Sequence, residues 1–497
     1  MGAIGTAAAL PRTGYFADNK IVEAGGDRAE SVVNPATEAQ LALIADAAPA
    51  DLDAVLTSAR AAVDHGAWSR LSPTGRSAAL YRLLDVLQSD HRRILDVVVA
   101  ETGCPISSAR GHQVDLPLRH LEYWAEAARR PELVGKAPVI TRRPGGTGIL
   151  GGWVVRREAY GVVAAITPYN FPFLQNVMKL GPALAAGNSM VLKPSPFTPF
   201  SAFLLAEAAQ KADLPAGALT VVTGGADIGE ALCADPRVDL VSFTGSARTG
   251  AHIAAHIAHR MVPVVLELGG KSALVVCADA DLEVAARVGA QSATFHAGQG
   301  CVLTTRHLVD RAVCDEYTER ITEAIARVHV GDPTDPGTGM GPLIRNSAVE
   351  RVACYVAEAQ RAGARIVTGG SRGDRPTGYF YEPTVLAGVA NSSRVAQEEV
   401  FGPVVVVIGT DTDDEAVELA NDSSYGLGGH VISRDVVGAF DIACRLQTGS
   451  VDINGGPGYT NPDVPFGGYK NSGLGRENGE EGLDQYTQLK TIKYHVG

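Results

Sequence analysis

Between residues 162 and 266, five short apolar runs alternate with helix-like segments. The runs fall at 162–166, 190–192, 219–222, 240–243 and 262–266. The helical patterns between them fall at 179–186, 198–211, 228–234 and 247–259. Strands that are apolar throughout are buried on both faces, and a helical crossover makes successive strands parallel. The predicted fold class is therefore α/β, with a helix-covered parallel sheet and ligands expected outside the carboxyl ends of its strands. A second alternating block opens near Lys271, with helices expected around 281–298, 314–328 and 346–362.

The flanking segments read differently. Asn34-Pro35-Ala36-Thr37 has turn composition, 50–64 is an amphipathic helix capped near Asp51, and 76–101 makes one or two more helices. In 133–159, Pro144-Gly145-Gly146 and Gly151-Gly152 punctuate β-prone runs, as in a hairpin leaving the main body. The C-terminal run 489–496 alternates like an exposed strand. A lone strand leaves its backbone groups unpaired, so it needs a partner in this chain or in another subunit.

Bulk properties narrow the function. At about 100–200 residues per domain, 497 residues make two to four domains. The formal charge of −12 comes without a basic face, so no nucleic-acid partner is expected. No run of 18 apolar residues occurs, so no membrane span is expected, and the N-terminus lacks a secretory pattern. Met1-Gly2-Ala3-Ile4-Gly5-Thr6 fits only the loose myristoylation pattern. Seven cysteines are scattered without CxxC pairing, which argues against disulfides and against a metal cluster and points to a reducing cytoplasm.

Three local features carry chemistry. Phe243-Thr244-Gly245-Ser246 ends a strand and opens a helix, where free N–H groups and the helix dipole favour a phosphate; with Gly250 the spacing is G-x4-G, which suits a packing glycine equally well. Glu267-Leu268-Gly269-Gly270-Lys271 places a carboxylate at a strand end, open to a role on a ribose or in a turn. Gly298-Gln299-Gly300-Cys301 sets a cysteine between a helix and a strand, either as a reactive thiolate or as an inert buried thiol.

Taken together with Asn170 in Thr167-Pro168-Tyr169-Asn170-Phe171-Pro172, Lys193-Pro194-Ser195, Glu399-Val400-Phe401-Gly402-Pro403 and Pro465-Phe466-Gly467-Gly468-Tyr469-Lys470, the ordered set closely resembles the aldehyde dehydrogenase superfamily. The likeness runs from Asn34 to the C-terminal strand and includes the 34 positions between Glu267 and Cys301. It implies a hydrolytic, NAD(P)-dependent oxidation. Cys301 attacks an aldehyde to give a thiohemiacetal, hydride leaves for the nicotinamide, and water activated by Glu267 hydrolyses the thioester. Asn170 and the Cys301 backbone N–H match the oxyanion donors, and Lys179 matches a lysine that supports the oxyanion and proton network. Lys193, Ser195, Gly245, Ser246, Glu399 and Phe401 match cofactor contacts. Phe171, Gln175, Tyr459 and Phe466 match the walls of the substrate tunnel, with no arginine or lysine among them. A medium-sized hydrophobic or aromatic aldehyde follows as the expected substrate.

Two residues depart from the family pattern. Pro196 stands where a ribose-binding glutamate often lies, so NAD is expected while NADP meets no carboxylate there. His296 replaces an asparagine that orients the catalytic loop, a task its hydrogen bonding can take over. The resemblance further implies a Rossmann-like cofactor domain (1–132 and 160–268), an α/β catalytic domain (269–477) and a small β oligomerisation element (133–159 and 478–497) joining a homodimer or homotetramer. Two alternatives stay open: a CoA-acylating aldehyde dehydrogenase, which typically lacks the Glu267 equivalent, and a cysteine esterase without redox chemistry, which needs neither Lys193, Ser246 nor Glu399.

Overall fold

The computed structural model describes residues 10–142, 148–456, 458 and 461–496. The pattern at 1–6, the turn residues Pro144-Gly145-Gly146, and Tyr459 lie outside the described residues.

The first block forms an eight-stranded sheet. Its order is Lys20–Val22, Tyr15–Ala17, Leu219–Val221, Ser189–Lys193, Val162–Ile166, Leu240–Thr244, Val264–Glu267 and Gly473–Leu474. The five middle strands are parallel, and all but the ends of two are fully buried, as continuous apolar runs require. From Val162–Ile166 the chain steps outward twice in one direction, then returns to build Leu240–Thr244 and Val264–Glu267 on the other side. This reversal opens a crevice between the carboxyl ends of Val162–Ile166 and Leu240–Thr244, the usual ligand position in such sheets.

The edges were not legible as periodic strands. An N-terminal hairpin pairs Phe16 with Val221, and Gly473–Leu474 lies antiparallel beside Val264–Glu267, with Gly473 opposite Glu267. The helix expected at 179–186 begins at Pro172, whose fixed φ suits a first turn, and stops at Gly187 in the left-handed region (φ 96°). Its buried face, from Phe173 through Val177 and Leu180, packs into the largest core cluster.

The second block is a seven-stranded sheet ordered Arg365–Thr368, Thr384–Ala387, Val404–Thr410, Arg306–Asp310, Ala273–Val276, Gly428–Ile432 and Ser450–Ile453. Only its first strand is antiparallel to its neighbour. The segments expected to be helical at 314–328 and 346–362 form Cys314–Ala326 and Asn346–Arg361.

A small third sheet leaves the body. Gly148–Ala159 pairs with Leu133–Gly135 and with Val139–Arg142, and its residues from Leu150 to Ala159 pair with Thr487–Val496. The C-terminal strand thus has its partner within this chain. Asn34 Oδ1 accepts from the Ala36 N–H in the expected turn, and the Asp51 carboxylate accepts from the N–H of Ala48, the cap of helix Pro49–Asp64. Among the described residues no helix is long and apolar enough to cross a membrane.

Candidate active site

The segment carrying Cys301 is built by a break in the chain. The helix expected through 298 ends at Thr294, because His296 (φ 47°), Ala297 (φ 54°) and Gly298 (φ 70°) are all left-handed. Two contacts hold this costly turn. The Gln299 side chain donates to the His296 carbonyl at 3.1 Å and accepts from the Ile344 N–H at 3.0 Å. A Cβ on Gly298 would lie 2.1 Å from the Gly402 carbonyl oxygen, so only glycine lets the turn close on Gly402 and Pro403. The Gly298–Cys301 and Glu399–Pro403 motifs are therefore two sides of one contact.

Asn170 reaches the same loop from the first sheet. It is buried, and its Nδ2 donates to the Gln299 carbonyl at 2.9 Å. His296 lies against the Asn170 backbone and the Phe171 ring, 5.3 Å between centroids. Burial lowers the His296 pKa to about 4, so the ring is neutral across the physiological range. That fits an orienting role and not a proton-transfer one.

Burial raises the pKa of the Cys301 thiol, and the carboxylates of Glu399 and Glu267 push it the same way. The resting sulfur is therefore a thiol that needs a base.

Glu267 ends its strand beside Thr244. Its carboxyl is buried, and neither oxygen has a hydrogen-bond partner among the described residues. Burial and then Glu477 raise its pKa well above the ordinary range, opposed by Lys179 and Arg476. A Cβ on Gly467 would stand 2.7 Å from Glu267 Oε1, so the Phe466-Gly467-Gly468 motif makes room for this carboxylate. Lys179 is fully buried, donating to Ser242 Oγ at 3.0 Å and to Glu477 Oε1 at 2.8 Å. Ser242 Oγ lies 2.9 Å from the Tyr486 hydroxyl, completing a buried polar line. Sequence reasoning missed Glu477, because its segment follows irregular chain and has no periodicity that faces it inward.

The nucleotide-side residues gather at the crevice of the first sheet. Lys193 ends its strand, buried, with its pKa lowered to about 8 chiefly by that burial, while Asp46 and Asp227 favour its charge. Ser195 Oγ accepts from the Phe197 N–H at 3.3 Å. Ser246 caps helix Ala247–Ile257 through a bond from the Thr249 N–H, and Gly245 precedes it. Gly250 is the packing glycine of that turn, since a Cβ there would meet Leu268 at 2.5 Å.

Glu399 stands across from them. It accepts from the Gly270 N–H at 3.2 Å, and burial raises its pKa to about 7. A Cβ on Gly269 would lie 2.4 Å from Glu399 Oε2, and one on Gly270 2.5 Å from the Cys301 carbonyl, which explains the glycine pair. Phe401 has φ 52° and meets the Tyr169 ring edge-on.

A cavity of about 320 Å³ opens on Cys301. Its walls include Phe171, Gln175 and Phe466, together with Met178, Leu174 and Phe295. The lining is more polar than those positions alone imply. Arg287, at none of the four expected wall positions, is part of it, and so are His120, His430 and Asp452. These come from distant elements, so no local motif marks them. Among the described residues no cluster of three or more His, Cys, Asp or Glu could hold a metal.

The family model described as "Aldehyde dehydrogenase family" matches residues 21–492. The chain belongs to the aldehyde dehydrogenase family. Among relatives of this aldehyde dehydrogenase, the geranial dehydrogenase of Castellaniella defragrans is 40% identical over 93% of this chain and 94% of its own. The NADP/NAD-dependent aldehyde dehydrogenase PuuC of Escherichia coli is 36% identical over 96% and 94%. The crystal structure of betaine aldehyde dehydrogenase from Staphylococcus aureus in complex with NAD+ superimposes with TM-score 0.93 at 33% identity, covering 99% of this chain and 96% of that one.

Proposed function

We propose that this aldehyde dehydrogenase oxidises an aldehyde with a largely apolar skeleton to its carboxylic acid, using NAD+ and tolerating NADP+, with Cys301 as nucleophile and Glu267 as base. The observation that carries the reading is the pairing of a protonated cysteine on the cavity wall with a buried carboxyl that has no hydrogen-bond partner among the described residues and acts electrostatically on it.

The fit to a dinucleotide rests on this chain's own groups. A capped helix N-terminus at the sheet crevice suits a pyrophosphate. Lys193 and Ser195 would hold the adenosine side, Ser246 and Gly245 the pyrophosphate, and Glu399 with Phe401 the nicotinamide ribose. Pro196 supplies neither an acceptor for the ribose hydroxyl nor a charge against a 2′-phosphate. When bound, NAD(P)+ supplies the hydride acceptor that carries a thiohemiacetal to a thioester.

The protein's residues handle the rest. Glu267 takes the thiol proton, and Cys301 Sγ bonds to the aldehyde carbon. The resulting oxyanion is held by Asn170 Nδ2 and the Cys301 N–H, at about 3–4 kcal/mol per donor. After oxidation Glu267 removes a proton from water, whose oxygen adds to the thioester carbon; the C–S bond then breaks and the acid leaves. Lys179 and Glu477 act on Glu267 through their charges, and the proton it has taken leaves to water entering the cavity before Glu267 acts again. The presence of Glu267 favours water over CoA as the resolving group, and Lys193, Ser246 and Glu399 favour a redox enzyme over an esterase.

The small sheet of 133–159 and 487–496 is proposed as the surface joining a homo-oligomer, with the first sheet as cofactor domain and the second as catalytic domain. The test is absorbance at 340 nm with an aldehyde panel, NAD+ and NADP+ in parallel, and product analysis with and without CoA. The expected result is free acid at a rate independent of CoA. A product that forms only as the CoA thioester, or ester hydrolysis without any cofactor reduction, would overturn the reading.

A further inference from the structure

Among the polar side chains of the cavity wall that the proposed chemistry does not use, three stand out for deep burial and incomplete bonding. His120 lies on helix Leu116–Ala127, Gln175 on helix Pro172–Ala186, and Asn478 immediately before helix Gly479–Asp484. All three line the cavity. Their exposures are only 1%, 7% and 4%. Burial of this depth normally requires hydrogen bonds. Yet Gln175 Oε1 has no bonded partner among the described residues, and His120 and Asn478, which face each other, leave His120 Nδ1 and Asn478 Oδ1 without a well-formed bond. An unsatisfied buried polar group is costly, so these incompletely bonded groups lining one cavity call for a complementary ligand group.

The backbone of Asn478 adds an independent sign. Its φ of 61° and ψ of 171° fall in a region that glycine occupies almost alone. A glycine there would be relaxed, so the amide side chain is retained against strain. The group these residues recognise is neutral. Gln175 and Asn478 are amides, and burial lowers the His120 pKa to about 4 despite the opposing hydrogen bond with the Asn478 side chain, leaving its ring uncharged. Each amide offers a donor and an acceptor, a pattern that matches a hydroxyl.

We infer that His120, Gln175 and Asn478 form a polar subsite on the substrate wall that selects aldehydes carrying a hydroxyl group on an otherwise apolar skeleton. This rests on the dehydrogenase reading above and deepens it. A site built to bond a hydroxyl rejects the analogue lacking it, because its own buried groups are then left unpaired.

The test compares ω-hydroxyalkanals of increasing length with the matching alkanals, following NAD+ reduction in the full-length enzyme. The hydroxyl is expected to raise kcat/KM at least about tenfold at one chain length. Gln175→Met keeps the shape of the side chain and removes the amide, and it is expected to cut that ratio to about threefold or less. Asn478→Gly is expected to lower the same ratio while raising Tm, since it relieves the backbone; a merely structural asparagine would not move the ratio. Equal kcat/KM for both series at every length, or a hydroxyl advantage that survives both substitutions, overturns the subsite. Failure of every aldehyde, alkanals included, to reduce NAD+ or NADP+ overturns the dehydrogenase reading itself, and the subsite falls with it.

Discussion

Cys301 and Glu267 illustrate how burial sets a division of labour. Desolvation raises the pKa of both groups, so neither ionises as readily as in water, and Glu267 acts as a base only in its carboxylate form. Cys301→Ala is expected to abolish cofactor reduction and ester hydrolysis alike while leaving NAD+ binding measurable by fluorescence. Glu267→Gln is expected to give one burst of reduced cofactor and then stall, and wild-type turnover by that variant in stopped-flow would remove Glu267 from its role. Stability carries a second signature. The raised folded pKa means that the protonated carboxyl stabilises the fold. This contribution is full below the ordinary carboxylate range and is lost as pH climbs through the folded value. Glu267→Gln should therefore raise Tm, and by more at pH 9 than at pH 5. Burial raises the Glu399 pKa to about 7, and the ionised form would accept most strongly from the ribose hydroxyls it is proposed to hold. KM for NAD+ is then expected to fall as pH rises through that value, and Glu399→Gln to flatten the dependence.

At the scale of elements, the loop 295–301 decides the site more than any helix or strand does. Its left-handed turn is held by Gln299 and by the approach of Gly298 to Gly402. Gly298→Ala should force the loop off Gly402. Its φ of 70° alone costs an alanine about 1–2 kcal/mol, before the clash. The expected outcome is a loss of kcat of at least about tenfold, since such a shift equals 1.4 kcal/mol in the barrier, with NAD+ affinity little changed. Unchanged kcat would mean that the loop does not set the position of Cys301. Parallel strands such as Val162–Ile166 and Leu240–Thr244 were legible because full burial leaves an unbroken apolar run. The stop at Thr294 was not, since a helical apolar spacing continues past it and only contacts with Gly402 and Ile344 override it. The edge strands Tyr15–Ala17 and Gly473–Leu474 have too few residues for any period to show.

Across the whole molecule, the third sheet exposes a group of large apolar side chains. Leu489 is 69% exposed and Ile140 70%, with Ile492 and Tyr494 also open on the C-terminal strand. Clusters of this kind mark association surfaces. Leu489→Lys combined with Ile492→Lys preserves the backbone pairing with Gly148–Ala159 and is expected to shift the enzyme to monomer in analytical ultracentrifugation. An unchanged sedimentation coefficient would remove the third sheet as an association surface.

The sequence by itself determined the α/β class, the sheet crevice and the residues of the family motifs. Those rest on local periodicity and on glycines whose neighbours leave no room for a side chain. Only the tertiary structure decided that Glu477 pairs with Lys179 and bears electrostatically on Glu267, that Arg287 reaches the cavity, and that His120, Gln175 and Asn478 line the same cavity. These residues sit on separate elements, and their meeting depends on how helices pack over a sheet, which no local pattern records.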